Sequence, residues 1–413
     1  MPRTCRPPLP VALLALGLTG AAAAHAEDTP SWSVSGFGTV GAVHASERQA
    51  DYTSNVMKYS GAGASRRWSG DVDSRLGAQL DVKLDKRWSA VVQVVSEQGL
   101  GNSYRPRIEW ANIKYQVTPD LALRAGRVAL PVFLTADYRR VSYAYPWVRP
   151  PVEGYGVVPV TNSDGVDATL RWNLGALRHT SQVFYGHDDV PLGESLRVRA
   201  RGIAGISHTA DWGALSVRAS VLRAEVSGNL ADQLFRAYDA FGPAGQAISA
   251  RYALDHKDMR VANIGLNYDP GAWFAMAEAS RTRTDSFLGA TRSAYASAGW
   301  RWRTLTPYAT LARVRAVGST TDSGLAPDTL PAAAAPAAAA LNAGLRTLLA
   351  TIPQQTSASV GLRWDLHANA ALKLQYDRVT PHAGSRGTLI NPTPDFRSER
   401  TVHVASVALD FVY

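Results

Sequence analysis

Cysteine is nearly absent from this chain of 413 residues, since Cys5 is the only one. It lies in a segment with two arginines, Arg3 and Arg6, an apolar stretch at residues 11–24 and the small-x-small site Ala24-His25-Ala26. This pattern is typical of a cleaved secretory signal peptide, which we expect over residues 1–26. The exported part, residues 27–413, then contains no cysteine, which excludes a disulfide framework.

Long apolar runs are also missing. After residue 26 no stretch reaches the roughly 18 apolar residues that a transmembrane helix needs. The mean hydropathy of −0.13 is close to that of a soluble protein. A transmembrane β-barrel escapes such a test, however, because every second residue of its strands faces the lumen.

Acidic residues are fewer than basic ones, 34 against 43, and the formal net charge is +9. The basic residues are scattered rather than clustered, which argues against nucleic acid as a partner. Two interpretations of the excess stay open at this point: a solvated basic surface, or a basic lumen that attracts anions.

Enzymatic motifs are absent as well: the sequence has no G-x-S-x-G, no Walker-type G-x-x-x-x-G-K and no H-E-x-x-H. The histidines are dispersed without metal-ligand spacing. His187-Asp188-Asp189 could bind a divalent ion, but a solvated loop explains it more simply. We expect no cofactor, no metal site and no catalytic residue.

What the sequence does have is strict alternation. In residues 71–84, one face carries Leu76, Leu80 and Leu84 and the other carries polar residues, as in a strand with two different environments. The segment 401–413 behaves likewise, with Phe411, Leu409 and Val407 opposite Asp410 and Ser406. The same unit recurs along the chain and gives sixteen predicted strands.

The connections between these strands alternate between seven short turns and eight long loops. Tryptophans lie beside the short turns and predict an aromatic girdle at one membrane interface: Trp88, Trp110, Trp172, Trp212, Trp273, Trp300, Trp302 and Trp364. A soluble sandwich or propeller is the rival fold, but it rarely carries so many long loops on one edge. We therefore expect an all-β chain folded as a 16-stranded antiparallel transmembrane β-barrel.

Two long loops differ from the others. The third, about residues 128–163, is rich in tyrosine and proline, and a loop so long and aromatic is usually packed against something. We expect it to fold into the lumen. The seventh, about residues 318–356, is rich in alanine and proline, and we predict a short helix at residues 337–350 within this extracellular loop.

Three segments carry a resemblance to the Gram-negative outer-membrane porin superfamily: W-S-V-S-G-F-G-T-V-G-A-V at residues 32–43, L-R-A-G-R at 123–127 and L-D-F-V-Y at 409–413. The resemblance implies an outer-membrane location, a homotrimer, a third loop that narrows the channel, and an insertion signal at Phe411 and Tyr413. The third loop lacks the strongly acidic stretch of the general porins, which puts their cation preference in doubt here.

Strand phase predicts which charges face the lumen. The basic set is Arg75, Lys83, Lys114, Arg124, Arg171, Arg218, Arg301, Arg303, Arg313, Arg315, Arg363 and Lys373. The acidic set is smaller: Asp81, Asp167, Glu278, Asp365 and Asp377.

Charges near the third loop should decide selectivity, because salt at physiological strength screens charge beyond about 8 Å. The pore-lining and constriction candidates are Arg75, Lys83, Lys114, Arg124, Arg127, Asp137, Arg139, Arg140, Arg149, Glu153 and Asp164. Strict alternation along the strand would turn the side chain of Arg127 toward lipid, unless a bulge or the end of the strand changes its direction. The balance is basic, so we expect a weak preference for anions.

Two functional classes follow. One is a porin, a water-filled channel for passive diffusion of small hydrophilic solutes and ions, in contact with outer-membrane lipid. The other is an outer-membrane barrel enzyme, or an adhesin or structural barrel without open-channel activity. Strand number separates them, since sixteen strands leave room for water.

Overall fold

The computed structural model describes residues 30–158, 160–192 and 196–413. The predicted signal peptide, residues 1–26, lies outside the described residues. Antiparallel strands form one continuous sheet, and the last strand pairs with the first, so the sheet closes on itself as a barrel. The sheet also includes a two-residue strand, Trp68–Ser69, which pairs with the first strand and lies outside the sixteen of the wall.

The wall strands are β1 (Ser31–Ala45), β2 (Arg75–Lys83), β3 (Trp88–Glu97), β4 (Arg107–Gln116), β5 (Leu121–Ala129), β6 (Asn162–Leu174), β7 (Leu177–Pro191), β8 (Arg197–Trp212), β9 (Leu215–Gly228), β10 (Lys257–Tyr268), β11 (Trp273–Thr284), β12 (Ala290–Trp300), β13 (Leu305–Ala316), β14 (Gln355–His367), β15 (Ala370–Pro381) and β16 (Val402–Val412). The sixteen-stranded antiparallel barrel predicted from the alternation is confirmed.

The strands run further than the alternation indicated, and this shortens two of the loops. The fourth loop occupies only residues 192–196 and the sixth only residues 285–289. The expectation of eight long loops is therefore wrong for these two. The error arises because β7, β8 and β11 extend beyond the membrane-spanning part of the pattern, where polar residues hide the alternation.

Short helices lie in the loops. Loop 3, residues 130–161, contains Ala136–Tyr138, Ser142–Ala144 and α1 (Val152–Tyr155). Loop 5, residues 229–256, contains α2 (Asp232–Asp239) and α3 (Pro243–Tyr252), which the sequence reasoning missed. Loop 7, residues 317–354, contains α4 (Ala335–Leu349), two residues earlier than the predicted start. None of the helices in the described ranges is long and apolar enough to cross a membrane.

The barrel closes where β16 meets β1. Gly38 lies opposite Phe411, and a Cβ at Gly38 would stand 2.3 Å from the Phe411 ring. Gly36 makes the same close approach to Tyr413, at 2.0 Å. Only glycine leaves space for the two rings against the strand backbone. The two residues predicted as the insertion signal thus cover the outer side of the closing seam.

The outer wall is apolar, as expected of a surface facing lipid. Exposed large side chains there include Val40, Leu80, Leu311 and Val360. Of the tryptophans predicted as a girdle, all but Trp110 are exposed beside the short turns. Buried apolar residues lie instead on the inside, where loops 3, 5 and 7 pack together against the wall.

Candidate functional site

Loop 3 packs against the inner wall of the barrel. The Trp147 indole, 1% exposed, donates from Nε1 to Ser297 Oγ at 2.8 Å and to Thr310 Oγ1 at 3.1 Å. The Tyr155 hydroxyl donates to Glu278 at 2.6 Å. Ser297, Thr310 and Glu278 alternate with lipid-facing alanines and leucines on β11, β12 and β13. They therefore point inward, and so the loop lies on the inner side of these strands.

Arg149 is the most heavily bonded charge of the loop. Its guanidinium forms a two-point ion pair with Asp73, at 2.9 and 2.6 Å, and a third contact with Asp377 at 3.2 Å. It also donates to Ser406 at 2.7 Å and to Tyr52 at 3.3 Å. The side chains of Arg149, Asp73 and Asp377 are at most 3% exposed. Arg149 therefore serves as a buried anchor rather than as a charge open to solutes.

Lys373 on β15 holds the same loop through its backbone. Its Nζ donates to the carbonyl oxygens of Ser142, Tyr145 and Trp147 at 2.6, 2.7 and 2.9 Å. It also pairs with Asp410 at 2.7 Å, and both side chains are fully buried. Lys373 faces inward as predicted, but loop 3 covers it.

Arg140 and Arg139 also have partners inside the protein, carboxylates for Arg140 and backbone carbonyl oxygens for Arg139. Arg140 pairs with Glu97 at 2.8 Å and Glu109 at 3.1 Å. Burial alone would lower the pKa of Arg140, but these carboxylates outweigh burial and raise it above its ordinary value. Arg139 donates to the carbonyl oxygens of Tyr155 and Val158. Burial, and then the neighbouring Arg140, lower the pKa of Arg139 to about 10.

The two acids predicted within loop 3 are engaged in different ways. Glu153 is 1% exposed and accepts a hydrogen bond from Gln355 Nε2 at 2.7 Å. No base pairs with Glu153 among the described residues, and burial raises its pKa. Asp137 is half exposed and pairs with Arg218 of β9 at 3.0 Å. Loop 3 therefore presents little uncompensated charge.

The inner wall of β2–β6 differs from this covered region. Toward the short turns, Lys83, Ser89, Lys114, Arg124 and Asp167 follow one another in register across five neighbouring strands. Arg124 pairs with the buried Asp167 at 3.0 Å. Within the part of the chain that the structure describes, Lys83, Lys114 and the nearby Arg171 have no carboxylate at ion-pair distance, and Lys83 and Arg171 are exposed. We call Lys83, Lys114, Arg124 and Arg171 the basic arc.

Two predicted pore-lining residues lie on the other side of the wall. Arg127 and Asp164 pair with each other at 2.7 Å on the outward phase of β5 and β6, which Leu123 and Val166 share. Their assignment to the lumen is wrong. The reason is strict alternation: β5 and β6 stay in register through this pair, so no shift re-aims the side chains.

Arg75 faces inward but is 9% exposed, and its Nε donates to the Asp73 carbonyl oxygen. It belongs to the buried network under loop 3 and does not line open space. Arg313 and Arg315, predicted inward, lie on the outward phase of β13 with Leu311. Strict alternation from Leu311 places both arginines on this face, so the prediction assigned the wrong face of this strand to the lumen.

Sequence reasoning missed several partners that hold loop 3. Asp73, Ser406, Glu97 and Glu109 bind loop residues 31 to 257 positions away in sequence. A local pattern contains no signal for such pairs. Only the burial of the carboxylates next to arginine identifies them.

A family model described as Gram-negative porin matches residues 12–382. The chain belongs to the Gram-negative porins. It is a channel protein of the outer membrane, and its family and fold are those of channels rather than of enzymes. No curated protein matches the sequence.

Solved porin structures share the fold of this porin at low sequence identity. The anion-selective porin from Comamonas acidovorans aligns with a TM-score of 0.56 and 12% identity, covering 93% of this chain and 100% of that one. The outer membrane channel DcaP of Acinetobacter baumannii gives 0.55 and 11%, covering 93% and 98%. OmpF of Salmonella typhi, in complex with daunomycin, gives 0.53 and 11%, covering 92% and 97%.

Proposed function

We propose that this porin lets small hydrophilic solutes and ions diffuse passively and that it weakly prefers anions. The observation that carries the proposal is the contrast in charge compensation inside the barrel. The charges of loop 3 that the sequence singled out are paired or buried, whereas Lys83, Lys114 and Arg171 of the basic arc have no described carboxylate partner. Permeating anions are therefore the counterions that this wall favours.

The likeness to an anion-selective porin does not carry this proposal, because 12% identity shows the fold alone. Planar-bilayer recordings in a salt gradient test it directly. We expect a reversal potential displaced toward that of chloride. A wild-type channel that prefers potassium would contradict the proposal and point to acidic groups outside the basic arc.

We further propose that loop 3 is the constriction. Its aromatic and proline-rich segment occupies inner-wall space that would otherwise be open to water. Deleting residues 138–154 should raise single-channel conductance. Heat-shifted migration on a gel identifies folded barrels, and unchanged conductance in a folded deletion variant would show that another segment limits the current.

We also propose that the chain is exported by a signal peptide over residues 1–26, inserts through its Phe411 and Tyr413 signal, and works as a homotrimer without enzymatic activity, cofactor or metal. The family expectation supports the trimer. Chemical crosslinking of intact outer membranes should give trimers as the largest specific product. A product that stops at the monomer would contradict this part.

A further inference from the structure

The uncompensated cations of the inner wall lie at one end of the barrel. Lys114 is two residues from the end of β4, Arg171 is three residues from the end of β6, and both strands end in short turns. For strands tilted by about 40°, both charges then lie within about 10 Å of the short-turn end, measured along the barrel axis. The short turns of such barrels face the periplasm. The two cations therefore lie at the periplasmic mouth of the lumen.

Other inward charges of the strands near this mouth offset one another. Lys83 shares its face of β2 with Asp81, which is two residues away. Arg178 of β7 and Asp211 of β8 are in register with each other and both point inward. The excess positive charge at the periplasmic mouth is then carried by the two cations named above.

At the opposite end of the lumen, toward the long loops, charges of both signs are in contact. Arg140 of loop 3 contacts Glu97 at 2.8 Å and Glu109 at 3.1 Å. Arg107 of β4 and Lys58 of loop 1 each reach Glu97 at 3.6 Å. Other inward charges at this end also include both signs: Arg75, Lys257 and Asp188. Fixed charge toward the long loops is thus compensated within the protein.

Loops also cover the wall at this end. The inward-facing Val226, Val314 and Val404 lie toward the long-loop ends of their strands, and each is at most 4% exposed. Lys83 and Arg171, near the short turns, are exposed. The lumen therefore consists of an open basic segment toward the periplasm and a covered, charge-balanced segment toward the outside.

Two segments of different selectivity in series make the conductance depend on the direction of the voltage. In the basic segment anions carry most of the current, whereas in the balanced segment anions and cations share it. With the outside positive, anions enter from the periplasm and cations from the outside, so both accumulate where the segments meet and the conductance rises. With the outside negative, both ions are depleted there and the conductance falls.

We propose that this channel rectifies: it conducts better when the outside is positive, because Lys114 and Arg171 make only its periplasmic segment selective for anions. Under equal and opposite voltages, anions then leave the periplasm more easily than they enter it. This inference rests on the anion preference proposed above and adds a direction to it.

Planar-bilayer recordings of single channels in symmetric potassium chloride test the proposal. The exported part contains no cysteine, so biotin can be attached to Ala340→Cys on the exposed face of α4. Streptavidin added to one chamber then changes the current only where the loops face that chamber, which identifies the orientation of each channel.

Salt concentration separates a charge effect from an effect of shape. Two unit charges at about 8 Å favour anions about fourfold, so at about 10 mM salt we expect about 1.5-fold more current with the outside positive. At about 1 M salt the Debye length falls to about 3 Å, and the two currents should become equal. Equal currents in both directions at low salt would overturn the proposal.

Charge variants assign the effect to the two cations. K114E/R171E should invert the asymmetry, because the periplasmic segment then selects cations, and K114Q/R171Q should remove it. The matched control is R346Q/R397Q, which removes two exposed arginines from the loops and should rectify as the wild type does. An asymmetry that persists unchanged in K114Q/R171Q would contradict the role of these cations.

Reversal potentials in a salt gradient separate this inference from the proposed function. A channel that prefers anions but conducts equally in both directions refutes rectification alone, whereas a channel that prefers cations refutes the selectivity on which rectification rests. If the double variants fail to fold, R171Q takes their place, because the side chain of Arg171 is exposed. It should reduce the asymmetry by about half, since one of two charges remains, and an unchanged asymmetry would contradict the proposal.

Discussion

The two parts of the inner wall deal with charge in opposite ways. Under loop 3, each of Arg149, Lys373 and Arg140 contacts at least one carboxylate at 3.2 Å or less. On the basic arc, Lys83, Lys114 and Arg171 have no such partner among the described residues. The number of charges in a lumen is therefore a poor guide to selectivity, because paired charges fix structure and only uncompensated ones act on permeating ions.

We expect the largest effect from Arg149→Met, which removes the buried anchor of loop 3. Asp73 and Asp377 would then be buried without a cationic partner, and breaking such a pair typically costs about 3–5 kcal/mol. We expect loss of stability in urea unfolding and unsteady single-channel current as loop 3 detaches.

The triple variant R149M/D73N/D377N serves as the control, because it removes the stranded charges together with the arginine. It should recover much of the lost stability. If R149M alone unfolds like the wild type, the anchor role of Arg149 is incorrect.

A smaller effect is expected from Trp147→Phe. The ring remains, but the Nε1 donor to Ser297 and Thr310 is lost, at about 1 kcal/mol per hydrogen bond. Ser297 and Thr310 still hydrogen-bond each other at 2.8 Å. We therefore expect the total loss of stability to be about 1 kcal/mol rather than the sum for two hydrogen bonds. Urea unfolding measures the difference. The matched control is Trp212→Phe on the outer wall, because Trp212 is exposed and its indole has no hydrogen-bond partner among the described residues.

The double variant K114Q/R171Q tests the basic arc, which is the uncompensated part of the inner wall. One unit charge at about 8 Å contributes about 0.2 kcal/mol after screening, with opposite sign for an anion and a cation, so removing two charges should lower the anion-to-cation permeability ratio about fourfold. Reversal potentials in a potassium chloride gradient measure it. The control R346Q/R397Q changes charge equally in the extracellular loops, and an equal shift there would contradict the role of the basic arc.

The smallest effect concerns Glu153. Burial raises the pKa of its carboxyl group. A carboxyl with a raised folded-state pKa destabilises the fold once pH exceeds its unfolded value, because the charged form is the penalised one. Glu153→Gln should therefore raise the melting temperature slightly at pH 7 and leave it unchanged near pH 4. A larger gain at pH 4 than at pH 7 would have the wrong sign.

The barrel could be predicted from the sequence because its main signal, the alternation of apolar and polar residues with a period of two, is a local property of every strand. Arg124 and Lys114 follow that period and face inward as predicted. Arg313 and Arg315 share the face of Leu311, so the period holds there too, and the error was in which of the two faces was assigned to the lumen. The anchors of loop 3 were beyond reach, because Asp73 and Asp377 lie 76 and 228 residues from Arg149.

Those separations bear on how the molecule assembles. Asp73 precedes β2, Ser406 belongs to β16, and the β1–β16 seam lies between them, so Arg149 joins the two sides of the seam from within. Its contacts can form only after nearly the whole wall is in place, and contacts so distant in sequence form slowly. Fluorescence of Trp147, which neighbours Arg149 and is buried in the same step, should therefore report the last stage of folding. A refolding experiment would see the strands form first and this signal appear later.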